Sequence, residues 1–122
     1  MKVKIDTKEK FHVITIEESF LSANMTESIT QTLLSFLNYP VKNIILNLGT
    51  VQKIDERTAN TLIATQQTFY EANSSLVVCN LDPEVEKYLD EQDLLEIMNV
   101  TPTESEAWDI VQLEEIEREL LS

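Results

Sequence analysis

Apolar and polar residues change rhythm several times along this chain, and each rhythm predicts an element. Val3, Ile5 and Thr7 alternate with Lys4, Asp6 and Lys8, a period of two that suits a half-buried strand. After the polar turn Lys8-Glu9-Lys10, Phe11, Val13 and Thr15 alternate with His12, Ile14 and Ile16, which predicts a second strand. So brief a link predicts an antiparallel hairpin. Glu17 to Ala23 reads as a connection. Asn24-Met25-Thr26-Glu27 has the form of a capping box, and Met25, Ile29, Leu33, Phe36 and Leu37 then recur at helical spacing. Asn38-Tyr39-Pro40 should end that helix, because proline lacks the donor that the next turn needs.

Ile44, Ile45, Leu46 and Leu48 form a nearly continuous apolar run, as a parallel strand covered on both faces requires. Asp55 is the expected N-cap of the helix that follows. Ala59, Leu62, Ile63, Gln66, Phe69 and Tyr70 trace its buried stripe, with Thr61, Thr65, Thr68 and Glu71 expected on the wet face. Ser74-Ser75 break the helix, and Leu76, Val77, Val78, Cys79 and Leu81 predict a second buried strand. Asp82-Pro83 opens a short helix that should turn Val85, Tyr88 and Leu89 inward. Leu94, Leu95, Ile97, Met98 and Val100 lead into a short edge strand. Thr103-Glu104-Ser105-Glu106, another capping box, starts a last helix expected to bury Ala107, Ile110, Val111, Leu113, Ile116 and Leu120. Its opposite face, Glu104, Asp109, Glu115 and Glu119, is acidic and should be solvated. The order β-β-α-β-α-β-α-β-α predicts an α/β fold with a mixed, mainly parallel sheet and four helices. At 122 residues, with no repeat or linker, a single domain over residues 1–122 is expected.

Charge narrows the partners. Nine Lys+Arg against 22 Asp+Glu give a formal net charge of -13. Such a chain is repelled by phosphate backbones and anionic bilayers, so nucleic-acid binding and direct membrane insertion are not expected. Solubility, or a protein partner with a basic patch, accounts for the acidity. Cys79 is the one cysteine, so no internal disulfide can form, and within an apolar strand it reads as a small buried hydrophobe. That usage fits a reducing cytosol. No apolar run approaches the roughly 20 residues that span a bilayer, and the N-terminus lacks a signal-peptide stretch. A cytoplasmic protein is expected.

Candidate chemistry is sparse. Gly49 is the single glycine, which excludes the dinucleotide fingerprint, the P-loop and the nucleophile elbow, each of which needs several. One histidine, His12, and one cysteine exclude a His/Cys zinc site. The carboxylates lie along helix surfaces, with no sign of a buried pair for acid–base work. No catalytic residue, metal or cofactor is expected. The helix start after the central strand, Asp55-Glu56-Arg57-Thr58, is where open α/β sheets usually place their function.

Several segments carry a resemblance. Ile44 to Asp55, Ala59-Asn60-Thr61-Leu62, Leu76 to Leu81, Asp82-Pro83-Glu84-Val85 with Leu89, and Leu94-Leu95 through Glu106-Ala107 together resemble the STAS domain, named for sulphate transporters and anti-sigma factor antagonists. The resemblance spans nearly the whole chain as a pattern rather than as one motif. It implies a fold like that of the anti-sigma factor antagonists, in the cytoplasm, acting on transcription through a protein partner that is itself an anti-sigma factor and serine kinase. In that family a D-S-S-G turn opens the second helix, and phosphorylation of its second serine releases the partner. A helix start suits phosphate, since it offers free N–H groups and the positive end of a dipole. Here the turn reads Asp55, Glu56, Arg57, Thr58: the aspartate matches, Arg57 replaces the phosphoacceptor, and Thr58 replaces the glycine. The family's G-E-L-D segment reads Glu18-Ser19-Phe20-Leu21, so its aspartate is lost, and the glycine after the switch helix is replaced around Asn73.

Two readings follow. The first is a non-catalytic regulatory module that docks its partner through Asp55, Glu56, Arg57, Thr58, Thr61 and Thr65, without the serine switch; Thr58 is then the nearest candidate phosphoacceptor, and Glu56 a candidate source of constant negative charge. The second is a structural subunit of a larger assembly, such as a lipid-transport ATPase complex or a stress-signalling scaffold. A third, nucleotide sensing at the same junction, is opposed by the missing glycines.

Overall fold

The computed structural model describes residues 1–121. In chain order its elements are β1 (Val3–Thr7), β2 (His12–Ile16), β3 (Phe20–Leu21), α1 (Thr26–Ser35), β4 (Ile44–Asn47), β5 (Lys53–Ile54), α2 (Glu56–Glu71), β6 (Leu76–Cys79), α3 (Pro83–Glu91), β7 (Val100–Thr101) and α4 (Glu104–Leu121). The main sheet runs β1-β2-β4-β6-β7. β1 and β2 pair antiparallel, as the short link requires. The other three pairings are parallel, each made through a helical crossover.

Strand alternation divides the core in two. Ile14, Ile16, Ile44, Leu46, Leu76 and Val78 point to one face, where Ile29 and Leu33 of α1, Leu62 and Phe69 of α2, and Val85 and Leu89 of α3 meet them. Val13, Ile45, Val77 and Cys79 point to the other, where Ala107 and Val111 of α4 cover them. A sheet covered on both faces explains the uninterrupted apolar runs of β4 and β6. His12 is also buried: its ring hydrogen bonds with the Thr7 hydroxyl at 3.0 Å and the Val41 carbonyl at 2.9 Å and packs on Phe36.

The sheet's edges are guarded differently. β7 is two residues long, too short to template a neighbour. β1 carries Lys4 and Asp6 on one side, and its Ile5 is exposed rather than half-buried, because no helix reaches past β2 to cover it.

Several local expectations are corrected. The segment taken as a plain connection contains β3, which pairs parallel with β5 in a second, two-stranded sheet. The Asn24 capping box does not form: a 3₁₀ turn over Ala23–Met25 runs straight into α1, and Asn24 makes no capping bond. α1 itself stops at Ser35 and tightens into a 3₁₀ turn over Phe36–Asn38 before the proline. Tyr70 is exposed, and so are Leu113, Ile116 and Leu120 of α4. At the start of α4 the expected cap does appear, with the Thr103 hydroxyl accepting from the Glu106 N–H at 3.2 Å.

Asn73, Asn80 and Asp93 adopt the left-handed conformation at φ of 59°, 60° and 58°. Asn and Asp tolerate that region best among residues with a side chain, which lets a chain with one glycine make these reversals. Asn73 thereby ends α2 in place of a glycine.

Candidate functional site

The site is built by one carboxylate that holds two segments together. Asp55 caps α2: one side-chain oxygen accepts from the Thr58 N–H at 2.8 Å, and the other accepts from the Ala23 N–H at 2.7 Å. The Asp55 backbone N–H also donates to the Leu21 carbonyl at 3.2 Å. The helix start is thus joined to the chain leaving β3. Burial pushes the Asp55 carboxyl upward, but the Thr58 hydroxyl and N–H, the Ala23 N–H and the Arg57 guanidinium act downward and prevail, so its pKa lies below the ordinary value. The carboxylate is therefore charged at neutral pH and complements the helix dipole.

The remaining residues of the corner divide by burial. Glu56 and Arg57 stand exposed in the first turn, and Asn60 is exposed one turn on. Thr61 is half-buried and its hydroxyl donates to the Arg57 carbonyl at 2.9 Å. Thr58 is completely buried; its hydroxyl meets no hydrogen-bond geometry, although it lies near enough to the Asp55 carboxylate to help keep it charged. Thr65, expected on the wet face, is also buried, and its hydroxyl donates back to the Thr61 carbonyl at 2.8 Å. The reason is angular: Thr58, Leu62, Thr65 and Phe69 recur at four, three and four residues, so Thr65 lies on the centre line of the buried stripe. Tyr70 falls on its rim.

Sequence reasoning missed the other rim of this corner. Phe20 and Lys53, paired across the two-stranded sheet, flank the segment entering Asp55. The Lys53 ammonium sits 4.9 Å over the Phe20 ring, a cation–π contact on an exposed aromatic. The signal available was the family's G-E-L-D segment, whose place Glu18 to Leu21 takes; Leu21, in place of its aspartate, is fully buried.

Gln66 fastens α2 to the sheet. Its amide donates to the Leu76 and Asn99 carbonyls at 3.2 and 3.1 Å and accepts from the Asn99 N–H at 3.2 Å. Cys79 is buried, and desolvation with the Glu104 charge pushes its thiol up to about 11, which leaves it protonated and unreactive near neutral pH. Among the described residues there is no group of three or more His, Cys, Asp or Glu side chains that could hold a metal ion. None of the described helices is long and apolar enough to cross a membrane.

The structure has a mixed, mainly parallel sheet, with α2 opening under an aspartate cap after the short strand β5. The STAS domain model matches residues 2–107, and the chain belongs to that family. Solved structures agree on the fold. An anti-sigma factor antagonist from Mycobacterium paratuberculosis superposes with a TM-score of 0.76 at 13% identity, over 91% of this chain and 93% of that one. The Bacillus cell fate determinant SpoIIAA in its phosphorylated form superposes with a TM-score of 0.62 at 18% identity, over 90% and 99%. The murine anion transporter Slc26a9 matches with a TM-score of 0.69 at 15% identity, over 85% of this chain but 18% of the transporter. A search of curated proteins finds no match.

Proposed function

We propose that this STAS domain is a non-catalytic regulatory module that docks a protein partner at the Asp55–Thr58 corner and works without a serine switch there. The observation that carries this reading is the division of labour in the corner. Asp55, Thr58 and Thr65 are turned inward or tied into the helix start, while Glu56 and Arg57 are exposed and Thr61 is half-exposed beside them. Where the resemblance places a phosphoacceptor serine, the exposed residue is Arg57, and the nearest hydroxyl, Thr58, is out of a kinase's reach. Arg57 offers a guanidinium that recognises a carboxylate in two-pronged fashion, so the partner surface contains an acidic side chain facing this corner. The anti-sigma factor antagonists among the structural neighbours suggest a partner of the anti-sigma factor type, which the family resemblance makes a serine kinase as well.

The test is capture of the partner by the wild-type chain and by Arg57→Glu and Thr61→Arg variants. The wild type should retain a kinase-like or sigma-regulatory protein, and both variants should lose it; retention by both sinks the proposed surface. Incubation with the partner kinase and ATP should leave the intact mass unchanged. One added phosphate, lost on Thr58→Ala, would restore the switch.

A second reading rests on the transporter match, in which the same fold is a small part of a larger chain. As a structural subunit of an assembly, the domain would likewise need no phosphoacceptor. Co-purification with membrane ATPase subunits rather than with a kinase would favour it.

A further inference from the structure

The second half of α4 is inside out. Glu114, Glu115 and Arg118 turn toward the domain. The Asn99 amide donates to Glu114 and the Asn43 amide to Glu115, both at 3.2 Å, while Arg118 donates to the Ser75 hydroxyl at 3.1 Å and the Ser74 carbonyl at 3.4 Å. Leu113, Ile116 and Leu120 point the other way, exposed by 54%, 53% and 80%. Their spacing of three and four residues is that of a helix–helix seam, not of scattered surface hydrophobes. The inward hydrogen bonds fix the helix about its axis, so the stripe cannot roll onto the sheet without breaking them.

Charge decides what fits. α4 carries seven carboxylates (Glu104, Glu106, Asp109, Glu114, Glu115, Glu117, Glu119) and one basic residue, Arg118, which is turned inward. Glu117 lies beside the seam, and Asp109 lies on it one turn before Leu113. A second copy of this chain would set carboxylates against carboxylates along the contact, and an anionic bilayer would be repelled in the same way.

We infer that the outer stripe of α4 is a docking surface for a basic amphipathic helix of a partner protein, with apolar residues at helical seam spacing and lysines or arginines beside them. The surface goes beyond the proposed function. It lies on the opposite side of the sheet from α2, and most of it falls after residue 107, where the STAS match ends.

The test uses two synthetic helical peptides with leucines at the seam positions, one with lysines and its twin with glutamates beside them. Fluorescence anisotropy reads binding to the full chain and to three variants. The lysine peptide should bind the wild type, and Leu113→Ser/Ile116→Ser should weaken it at least about tenfold, since two apolar anchors are lost. Glu117→Gln should weaken it a few-fold and flatten its salt dependence. Glu86→Gln/Glu91→Gln, which removes two exposed charges from α3, should leave binding unchanged. Because Leu113 and Ile116 are exposed, the serine variant should melt with the wild type. Equal binding of both peptides, undiminished binding by the serine variant, or equal loss in the α3 variant overturns the inference. So does a dimer in sedimentation velocity that the serine variant abolishes, because the occupant would then be a second copy.

Discussion

The two faces of the sheet are covered by opposite means. One face is closed by three helices whose side chains, Phe69 among them, pack with Ile14, Leu46 and Val78. The other is closed by α4 alone, through Ala107 and Val111 and then through hydrogen bonds at Glu114, Glu115 and Arg118. Apolar packing contributes stability in proportion to the area removed from water, whereas each polar anchor contributes little net free energy but fixes orientation. The first face therefore supplies most of the stability, and the second spends part of its helix on presenting a surface.

Substitutions should rank accordingly. Phe69→Ala truncates the largest fully buried side chain of the three-helix face and should cost about 3–5 kcal/mol in denaturant unfolding. Val111→Ala, equally buried but on α4 at the other face and a smaller truncation, should cost roughly 2 kcal/mol; a loss as large as that of Phe69→Ala would mean that the α4 face is packed as heavily as the first. Asp55→Asn keeps one acceptor but sets its NH2 against the second of the two N–H donors, from Thr58 and Ala23, and loses the charge; it should cost at least about 1 kcal/mol at neutral pH. The folded pKa of Asp55 is depressed, so its charge-dependent contribution is fully present above the unfolded value of about 3.9 and fades as pH falls through the folded value. The gap between wild type and Asp55→Asn should therefore narrow in acid, and the part that persists there measures the N–H left without an acceptor. Ile116→Ala on the outer stripe should change stability by less than about 0.5 kcal/mol. A loss above about 1 kcal/mol would mean that the stripe belongs to this domain's own packing.

Long apolar runs made the main sheet legible, because only a strand buried on both faces reads as Ile44-Ile45-Leu46 or Leu76-Val77-Val78-Cys79. β3 and β5 were not legible, since a two-residue ladder such as Phe20-Leu21 on Lys53-Ile54 has no period to detect. The α4 expectation failed for a different reason. Periodicity at Leu113, Ile116 and Leu120 shows that a helix has an apolar side, but not whose surface covers it. At the candidate site, Asp55 was readable as a cap from its place before a helical stripe. The inward turn of Thr58 and Thr65 was hidden because threonine reads as polar, although its methyl group suits a packed interior. The bond from Asp55 to Ala23 joins residues 32 apart and leaves no local trace.

The guarded margins of the main sheet limit how this molecule can assemble. β7 is only two residues long and β1 carries Lys4 and Asp6, so both borders disfavour extension by another strand. Backbone-to-backbone annealing, the route to fibrils and to strand-swapped complexes, is thereby discouraged on both sides. Recognition through side chains is instead favoured, and such recognition is sensitive to single substitutions while it leaves the hydrogen-bonded framework undisturbed when partners come and go.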